Sequence, residues 1–331
     1  MPTTGNSREH AYTFADLHLL SSRPLPELVP ARAPAEARAD IVRVDWTPRA
    51  ASVGAEWFHQ WGDDDVWARF GETAEGYVVE FPETGTFVIA RDGRRIDAQV
   101  RPRAPMVTAR HLLLNQVLPL VLSRLRPLVL HAGAVATDGA VVAFVGPTGA
   151  GKSTLVAACA RLGAEVMADD SLVVYPESGG WRAIPSYPAV RLWESAMDHV
   201  GWDPADAAVV AHYSEKRRVV PHTGGWRFAD GARPLTRILL LASDTQPRRP
   251  AAVELFSQVF RLDVRDRSDA VRLFHLVADL AAGESVARID QPCADRRALD
   301  VAERVLRGSA LRPAAEPGIV SKHGRASFDQ G

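Results

Sequence analysis

Cysteine and lysine are the scarce residues of this chain. Two cysteines, Cys159 and Cys293, stand among 331 residues. Two thiols make neither a disulfide framework nor a thiolate zinc site, and the simple expectation is a protein of the reducing cytoplasm. Of the 39 basic residues only Lys152, Lys216 and Lys322 are lysines, which leaves 36 arginines. A chain that uses arginine almost everywhere keeps a lysine where a compact ammonium serves better than a planar fork. That singles out Lys152 and Lys216. Net charge is nearly absent too, at −1. This excludes a field that would draw the whole molecule onto nucleic acid or an anionic membrane. Long apolar runs are missing. The most apolar stretch, 112–130, is interrupted by Asn115, Pro119, Arg124, Arg126 and Pro127, so no membrane span is expected. Residues 1–16 carry no apolar core of the signal-peptide kind.

What is present divides into unlike parts. Residues 1–40 are rich in proline, alanine and arginine and show little periodicity, which predicts a poorly ordered segment. From 41 to 99 the pattern is β: Ile41-Val42-Arg43-Val44-Asp45-Trp46 nearly alternates, and Asp92-Gly93 is a hairpin turn. A small antiparallel module is expected over 41–125, ended by a linking helix over 107–125. The remainder, 126–307, reads as an α/β domain, and the polar chain beyond 308 as a disordered tail. Within that domain 128–135 reads as a strand, Asp138-Gly139 as a tight turn, and 141–145 as a fully apolar buried strand.

The loop that follows carries the chemistry. Gly146-Pro147-Thr148-Gly149-Ala150-Gly151-Lys152-Ser153 matches G-x-x-x-x-G-K-[ST] in full, with an apolar strand before it and a helix, from Thr154, after it. In a P-loop of this kind the glycines turn backbone N–H groups toward phosphate oxygens, and the positive end of the helix faces the same anion. Lys152 would reach the β- and γ-phosphates and the Ser153 hydroxyl would join Mg²⁺. ATP and Mg²⁺ are therefore the expected cofactors. The bland reading, a glycine-rich turn without a ligand, does not explain why strand, motif and helix coincide.

A Walker B strand ending in Asp should lie downstream, but the only comparable run, 238–244, places Ala242 and Ser243 before its acid and matches poorly. Asp169 and Asp170 lie just past the P-loop helix. One carboxylate could hold Mg²⁺ while the other accepts a proton from an attacking hydroxyl; alternatively the pair is a solvated strand-end turn. His131 is either part of this site or a satisfied buried histidine. Cys159 reads as packing. Arg191 reads as structural or as facing phosphate, and Lys216 as a phosphate contact or a solvated loop charge.

In combination these residues resemble a family. Leu130-His131-Ala132-Gly133, the loop, and Met167-Ala168-Asp169-Asp170 stand in the order and spacing of the HPr kinase/phosphorylase C-terminal domain. The likeness is closest to the lasso-peptide precursor kinases. Tyr187-Pro188-Ala189-Val190-Arg191-Leu192-Trp193 and Glu215-Lys216-Arg217-Arg218 look like further landmarks of that group, and the resemblance spans about 75–300. It implies an α/β P-loop kinase domain behind a smaller β-rich module. Asp169 would be the catalytic base with His131 supporting it, and Asp170 and Ser153 would serve the metal. The chain has no convincing counterpart of the downstream glycine-rich signature of the phosphorylase activity, so the resemblance carries kinase activity and leaves dephosphorylation and HPr as acceptor open.

The expected activity is ATP-dependent phosphorylation of a hydroxyl, of Ser or Thr on a peptide or protein. The alternatives are a small-molecule kinase acting on a sugar or amino acid, and a nucleotide-sensing module without transfer. The β-module either recognises an extended peptide by strand addition or shields the core and mediates contacts within a homo-oligomer.

Overall fold

The computed structural model describes residues 9–31, 40–48, 54–62, 65–241, 249–283, 286–289 and 298–308. The N-terminal strands are β1 (His10–Phe14), β2 (Leu17–Ser21), β3 (Val29–Pro30), β4 (Ile41–Pro48), β5 (Glu56–Trp61), β6 (Ala68–Glu72), β7 (Gly76–Phe81), β8 (Gly85–Ala90) and β9 (Arg95–Val100). They form one sheet in the order β3-β1-β2-β4-β9-β8-β7-β6-β5. This corrects two expectations. Residues 9–31 are not poorly ordered: they supply three strands, and Phe14, Leu17, Leu19 and Leu25 are wholly buried. Those apolar residues sit in short strands broken by turns, which hides any period. Nor is the sheet purely antiparallel, because β4 runs parallel to both β2 and β9. Parallel neighbours need a long crossover rather than a hairpin, and chain separates β4 from each of them. Strands β5 to β9 do form an antiparallel meander, with Asp92-Gly93 turning β8 into β9.

The linking helix is three pieces in one rod: α1 (Met106–Leu112), a π-helical turn (Leu113–Val117) and α2 (Leu118–Leu125). Pro119 accounts for the turn. Its nitrogen has no hydrogen to give the carbonyl four residues back, and its ring would collide with that carbonyl, so the helix widens just before it. The rod packs on the sheet in a core that also takes in Val129, Val173, Tyr187, Ala189 and Leu262. Apolar burial thus runs across the boundary expected at 126. Polar ties follow the same path: the Ala15 N–H donates to the Ser186 carbonyl at 3.2 Å, and Asp16 accepts from Arg126 Nε at 2.7 Å and from the Tyr175 hydroxyl at 2.9 Å.

The second half begins with β10 (Leu128–Leu130), β11 (Ala132–Thr137), β12 (Ala140–Val145) and α3 (Lys152–Arg161). It continues with β13 (Glu165–Ala168), β14 (Leu172–Glu177), β15 (Gly180–Ile184), β16 (Val190–Leu192), α4 (Glu194–Val200), β17 (Ala208–Ala211), β18 (Ser214–Val219), α5 (Pro221–Gly224), β19 (Arg227–Phe228) and β20 (Arg233–Leu241). It ends with α6 (Ala251–Phe256), α7 (Arg267–Ala282), β21 (Val286–Ile289) and α8 (Ala298–Leu306). The large sheet runs β10-β14-β15-β20-β12-β11-β13-β19, with β21 beside β20, and β16-β18-β17 is a separate ribbon.

Helices cover both faces of the large sheet. Val142 and Phe144 of β12 pack with α3, α4 and α8, whereas Val141, Ala143 and Val145 pack with α6 and α7. Burial on both faces is why β12 reads as an unbroken apolar run. The expected strand 128–135 is instead two strands. Leu128–Leu130 pairs with β14, then the chain bends at His131 and Ala132–Thr137 forms the hairpin with β12. The fold is therefore mixed α/β with large sheets. Among the described residues no helix is long and apolar enough to cross a membrane. The expected tail, Lys322, Cys293 and the acid of the Walker B comparison, Asp244, lie outside the described residues.

Candidate active site around the Gly146–Ser153 loop

The loop of residues 146–151 leaves β12 from the middle of the sheet and enters α3. Gly149 and Gly151 hold φ of 86° and 90°, a region that side chains on Cβ disfavour, and Gly151 is the N-cap of α3. No side chain caps this helix and no acid stands in its first turn. Its first N–H groups and positive end are therefore left for an anion. Gly146 approaches the neighbouring strand closely: a Cβ there would lie 2.9 Å from the Leu241 carbonyl oxygen. Pro147 starts the turn, its carbonyl accepting from the Ala150 N–H at 3.2 Å. Thr148 lines an open cleft, and Thr154 is buried in the first turn of α3.

Lys152 is buried, and its ammonium donates to the carbonyls of Gly146 at 2.7 Å and Pro147 at 3.0 Å. Burial lowers its pKa to about 8, against the pull of Asp170 and Asp169. The lysine thus folds back over its own loop.

Strand β13 lies against β11, and its end delivers Asp169 and Asp170 to the mouth of the loop. Ser153 lies beside Asp169, whose Oδ2 accepts the Arg191 N–H at 2.8 Å. The other Asp169 oxygen, Oδ1, is buried without a partner. Burial raises the proton affinity of this carboxyl, with Arg191 opposing. Asp170 is the more open of the two. Its Oδ2 lies 2.7 Å from Arg191 Nη2 and its Oδ1 3.4 Å from His131 Nε2. Burial would raise its pKa, but Arg191 and then His131 outweigh that and hold the carboxyl far below its usual range.

The structure thus brings together all the acids and bases read from the sequence, but with the partners exchanged. His131 meets Asp170, not Asp169, and Ser153 meets Asp169, not Asp170. Consecutive residues at a strand end point to opposite sides. Asp169 turns in toward α3, and Asp170 turns out toward the bend between β10 and β11, where His131 sits.

Arg191, on β16, is the bridge. Its side chain is 9% exposed and pairs with both acids, while its Nε has no hydrogen-bond acceptor. Lys216, on β18, is half-buried with its ammonium 5.6 Å from the Trp193 ring. Among the described residues no carboxylate lies within ion-pair distance of it. Burial lowers its pKa, and Arg191 adds to the effect. Cys159 is wholly buried in α3, consistent with packing.

Sequence reasoning missed the buried polar residues behind Arg191 and Arg218. His111 on α1 accepts from Asn115 Nδ2 at 3.0 Å; an amide nitrogen only donates, so the proton of the neutral ring is on Nε2. Burial, then Arg191, lowers His111 to about 3, which keeps it neutral. Glu27, with a fully buried side chain, accepts from Arg110 Nε at 2.8 Å and lies 3.5 Å from Arg218. The one available signal was the four-residue spacing of His111 and Asn115 on one helix face; Glu27 lay in the segment read as poorly ordered.

The residues fit a hard divalent cation in part. The orphaned Asp169 oxygen beside the Ser153 hydroxyl is an oxygen pair of the kind Mg²⁺ takes. Among the described residues no group of three His, Cys, Asp or Glu side chains could hold a metal by itself. The remaining ligands would be waters and substrate phosphates, as is usual for Mg²⁺.

No protein-family model matches the chain, and no curated protein matches it. Among solved structures it is similar to the HPr(Ser) kinase/phosphatase from Coxiella burnetii, at 17% identity and a TM-score of 0.25, over 37% of this chain and 71% of that one. At that TM-score the likeness carries no argument, and the functional reading rests on the site.

Proposed function

We propose that this protein is an ATP-dependent phosphotransferase acting on a hydroxyl, the Ser or Thr of a peptide or protein. One observation carries the reading: the Gly146–Ser153 loop, with its lysine, opens onto an Asp pair, one acid buried beside the loop serine and the other 3.4 Å from a histidine. A nucleotide sensor needs the loop but has no use for a buried acid pair beside it.

On entry of ATP the Lys152 ammonium leaves the Gly146 and Pro147 carbonyls for the β- and γ-phosphate oxygens. The first N–H groups of α3 receive the same phosphates. Ser153 and Asp169 would hold Mg²⁺, which supplies charge neutralisation at the phosphate oxygens when bound. Asp170 faces the open side and takes the acceptor's hydroxyl hydrogen bond. As the hydroxyl oxygen forms its bond to the γ-phosphorus, the bond from that phosphorus to the β–γ bridging oxygen breaks; the proton passes to Asp170 and ADP departs. His131 positions the Asp170 carboxylate. Arg191 and Lys216 stabilise negative charge on the moving phosphoryl group. Positioning and electrostatics, rather than a strongly basic group, suffice for phosphoryl transfer, so the low proton affinity of Asp170 in the resting state is no obstacle.

The test is incorporation of phosphate. A serine-containing peptide incubated with enzyme and ATP·Mg²⁺ should gain about 80 Da, the mass of one phosphoryl group, and Lys152→Ala should abolish the gain while leaving a cooperative melt. Wild-type turnover by Lys152→Ala would remove the loop from the reaction. Phosphorylation of free serine or a sugar far faster than any peptide would establish the small-molecule alternative.

A further inference from the structure

Asp170, His131 and Thr148 are not at a blind end. They line one cavity of about 650 Å³ whose other walls come from distant parts of the chain. One wall is the edge of the N-terminal sheet. There a bulge between Trp57 and His59 offsets the pairing of β5 with β6, and Phe58, His59 and Trp61 all reach the cavity. Trp67 and Phe70 join them, with Trp61 ring centroids 5.1 Å and 4.7 Å from theirs. The opposite wall is the connection from α6 to α7, tied to the bend at the site through the His131 N–H to the Gln258 carbonyl, 2.7 Å, and the Phe260 N–H to the Val129 carbonyl, 2.9 Å.

We infer that this cavity is the acceptor subsite, and that it selects an extended, neutral or acidic peptide with an aromatic or large aliphatic residue next to its Ser or Thr. Three observations support this. The cavity reaches Asp170 and Thr148 of the loop together, so its occupant can present a hydroxyl beside Asp170. Trp61 and Trp67 remain 37% and 48% exposed, although indoles of this size are normally covered; an apolar side chain laid between the two walls would cover them. The outer edge of β5 pairs with no strand among the described residues. Six residues of edge, about 20 Å of unpaired N–H and C=O groups, suit a peptide backbone rather than a compact metabolite.

Charge narrows the choice further. Among the described residues Asp170 is the one acid of the lining, and Arg191 and His131 already pair with it. Arg261 lines the cavity with its guanidinium over the Phe256 ring, 5.7 Å from the centroid, and no carboxylate lies within ion-pair distance among the described residues. A cleft of this balance repels a basic segment and accepts an acidic one.

This inference rests on the phosphoryl-transfer reading for what happens to the peptide, not for whether the peptide binds. Three fluorescein-labelled peptides with one serine separate the terms: serine flanked by Trp and Leu in a Glu-containing sequence, the same with Lys for Glu, and the first with both flanking residues changed to Ala. Binding is read by anisotropy without nucleotide, and transfer by phosphate incorporation with ATP·Mg²⁺. The wild type should prefer the first peptide by at least about tenfold over each of the others.

Trp61→Ala/Trp67→Ala should bring the preference for the apolar flanks to near unity, and Trp61→Phe/Trp67→Phe should restore most of it; the melt of each variant reports its folding. Arg261→Glu should invert the preference between the Glu and Lys peptides. Equal binding of all three peptides by the wild type overturns the subsite, as does an unchanged preference in a folded tryptophan double variant. Binding with the expected preference but without phosphate gain leaves the subsite standing and removes peptide phosphorylation.

Discussion

Charge is handled in opposite ways at two places in the molecule, the first sheet and the loop that follows β12. On the first, arginines and acids meet at the solvent: Arg95 and Asp45 are 3.1 Å apart with side chains 67% and 42% exposed. Around the Gly146–Ser153 loop in the second half, Asp169, Arg191 and Lys152 are instead buried together. Exposed pairs are screened and contribute little. Buried charges cost desolvation that an apolar substitute would avoid, so their presence is not explained by stability. The contrast is that stability is given up around the loop, at a place where a charged ligand would recover it, which is the arrangement expected of a functional site.

The contrast is sharpest at the two acids. If the partners seen here set the roles, Asp170→Asn should lower kcat by roughly 10²–10⁴ with ATP affinity largely kept, and added Mg²⁺ should not restore it. Asp169→Asn should instead raise the Mg²⁺ concentration needed for half-maximal rate. A metal-rescuable Asp170→Asn beside an unrescuable Asp169→Asn would return the roles to those the family resemblance implies. Equal, metal-rescuable defects in both would make both acids metal ligands.

Arg191→Met tests the burial itself. It leaves the Asp169 carboxylate buried with its charge uncompensated, and removing one partner of a buried pair costs about 3–5 kcal/mol. Denaturant unfolding should show a loss of that size at neutral pH. Protonating the stranded carboxyl relieves it, so the deficit should shrink as pH falls. A variant as stable as the wild type would mean that the ion pairs are not formed in solution.

Lys152 supplies a pH dependence. Its folded value is about 8 against 10.5 for an ordinary lysine. Folding favours the neutral amine, so the burden of burying the ammonium is fully present below about pH 8. It is relieved as pH rises from there to 10.5, the window in which the unfolded chain binds more protons. Nucleotide binding has the reverse dependence. Polyphosphate favours the ammonium, so above about pH 8 binding takes up a proton and ATP affinity should fall by up to about tenfold per pH unit. Calorimetry across this range should show proton uptake that is absent in Lys152→Ala; a flat profile would separate Lys152 from the nucleotide.

The smallest effect belongs to the first sheet. Arg95→Ala should change stability by less than about 1 kcal/mol, and less still at high salt. A loss as large as that of Arg191→Met would break the comparison.

Much of the site was legible in advance because its parts are local. A strand, eight loop residues and a helix lie within one short stretch, and the conformational demands on Gly149 and Gly151 are written in the residues themselves. The Asp pair was visible because it stands only a short strand beyond the helix. The exchange of partners was not visible, since it depends on which side each carboxylate takes at the end of β13 and on the bend at His131, and neither has a period to read. Arg191 could be suspected, but nothing in its neighbours says that it reaches both acids.

The aromatic edge of β5, the helix residues His111 and Asn115, and Glu27 enter the region only because the N-terminal sheet docks on the second half. That docking is a matter of long-range apolar burial, shared between residues far apart in the chain. Sequence alone determined the elements whose geometry is set by neighbours along the backbone: the apolar strand, the glycine turn and the helix that follows it. Tertiary structure alone decided what those elements face, because the contacts of a side chain follow from packing between segments that no local pattern connects.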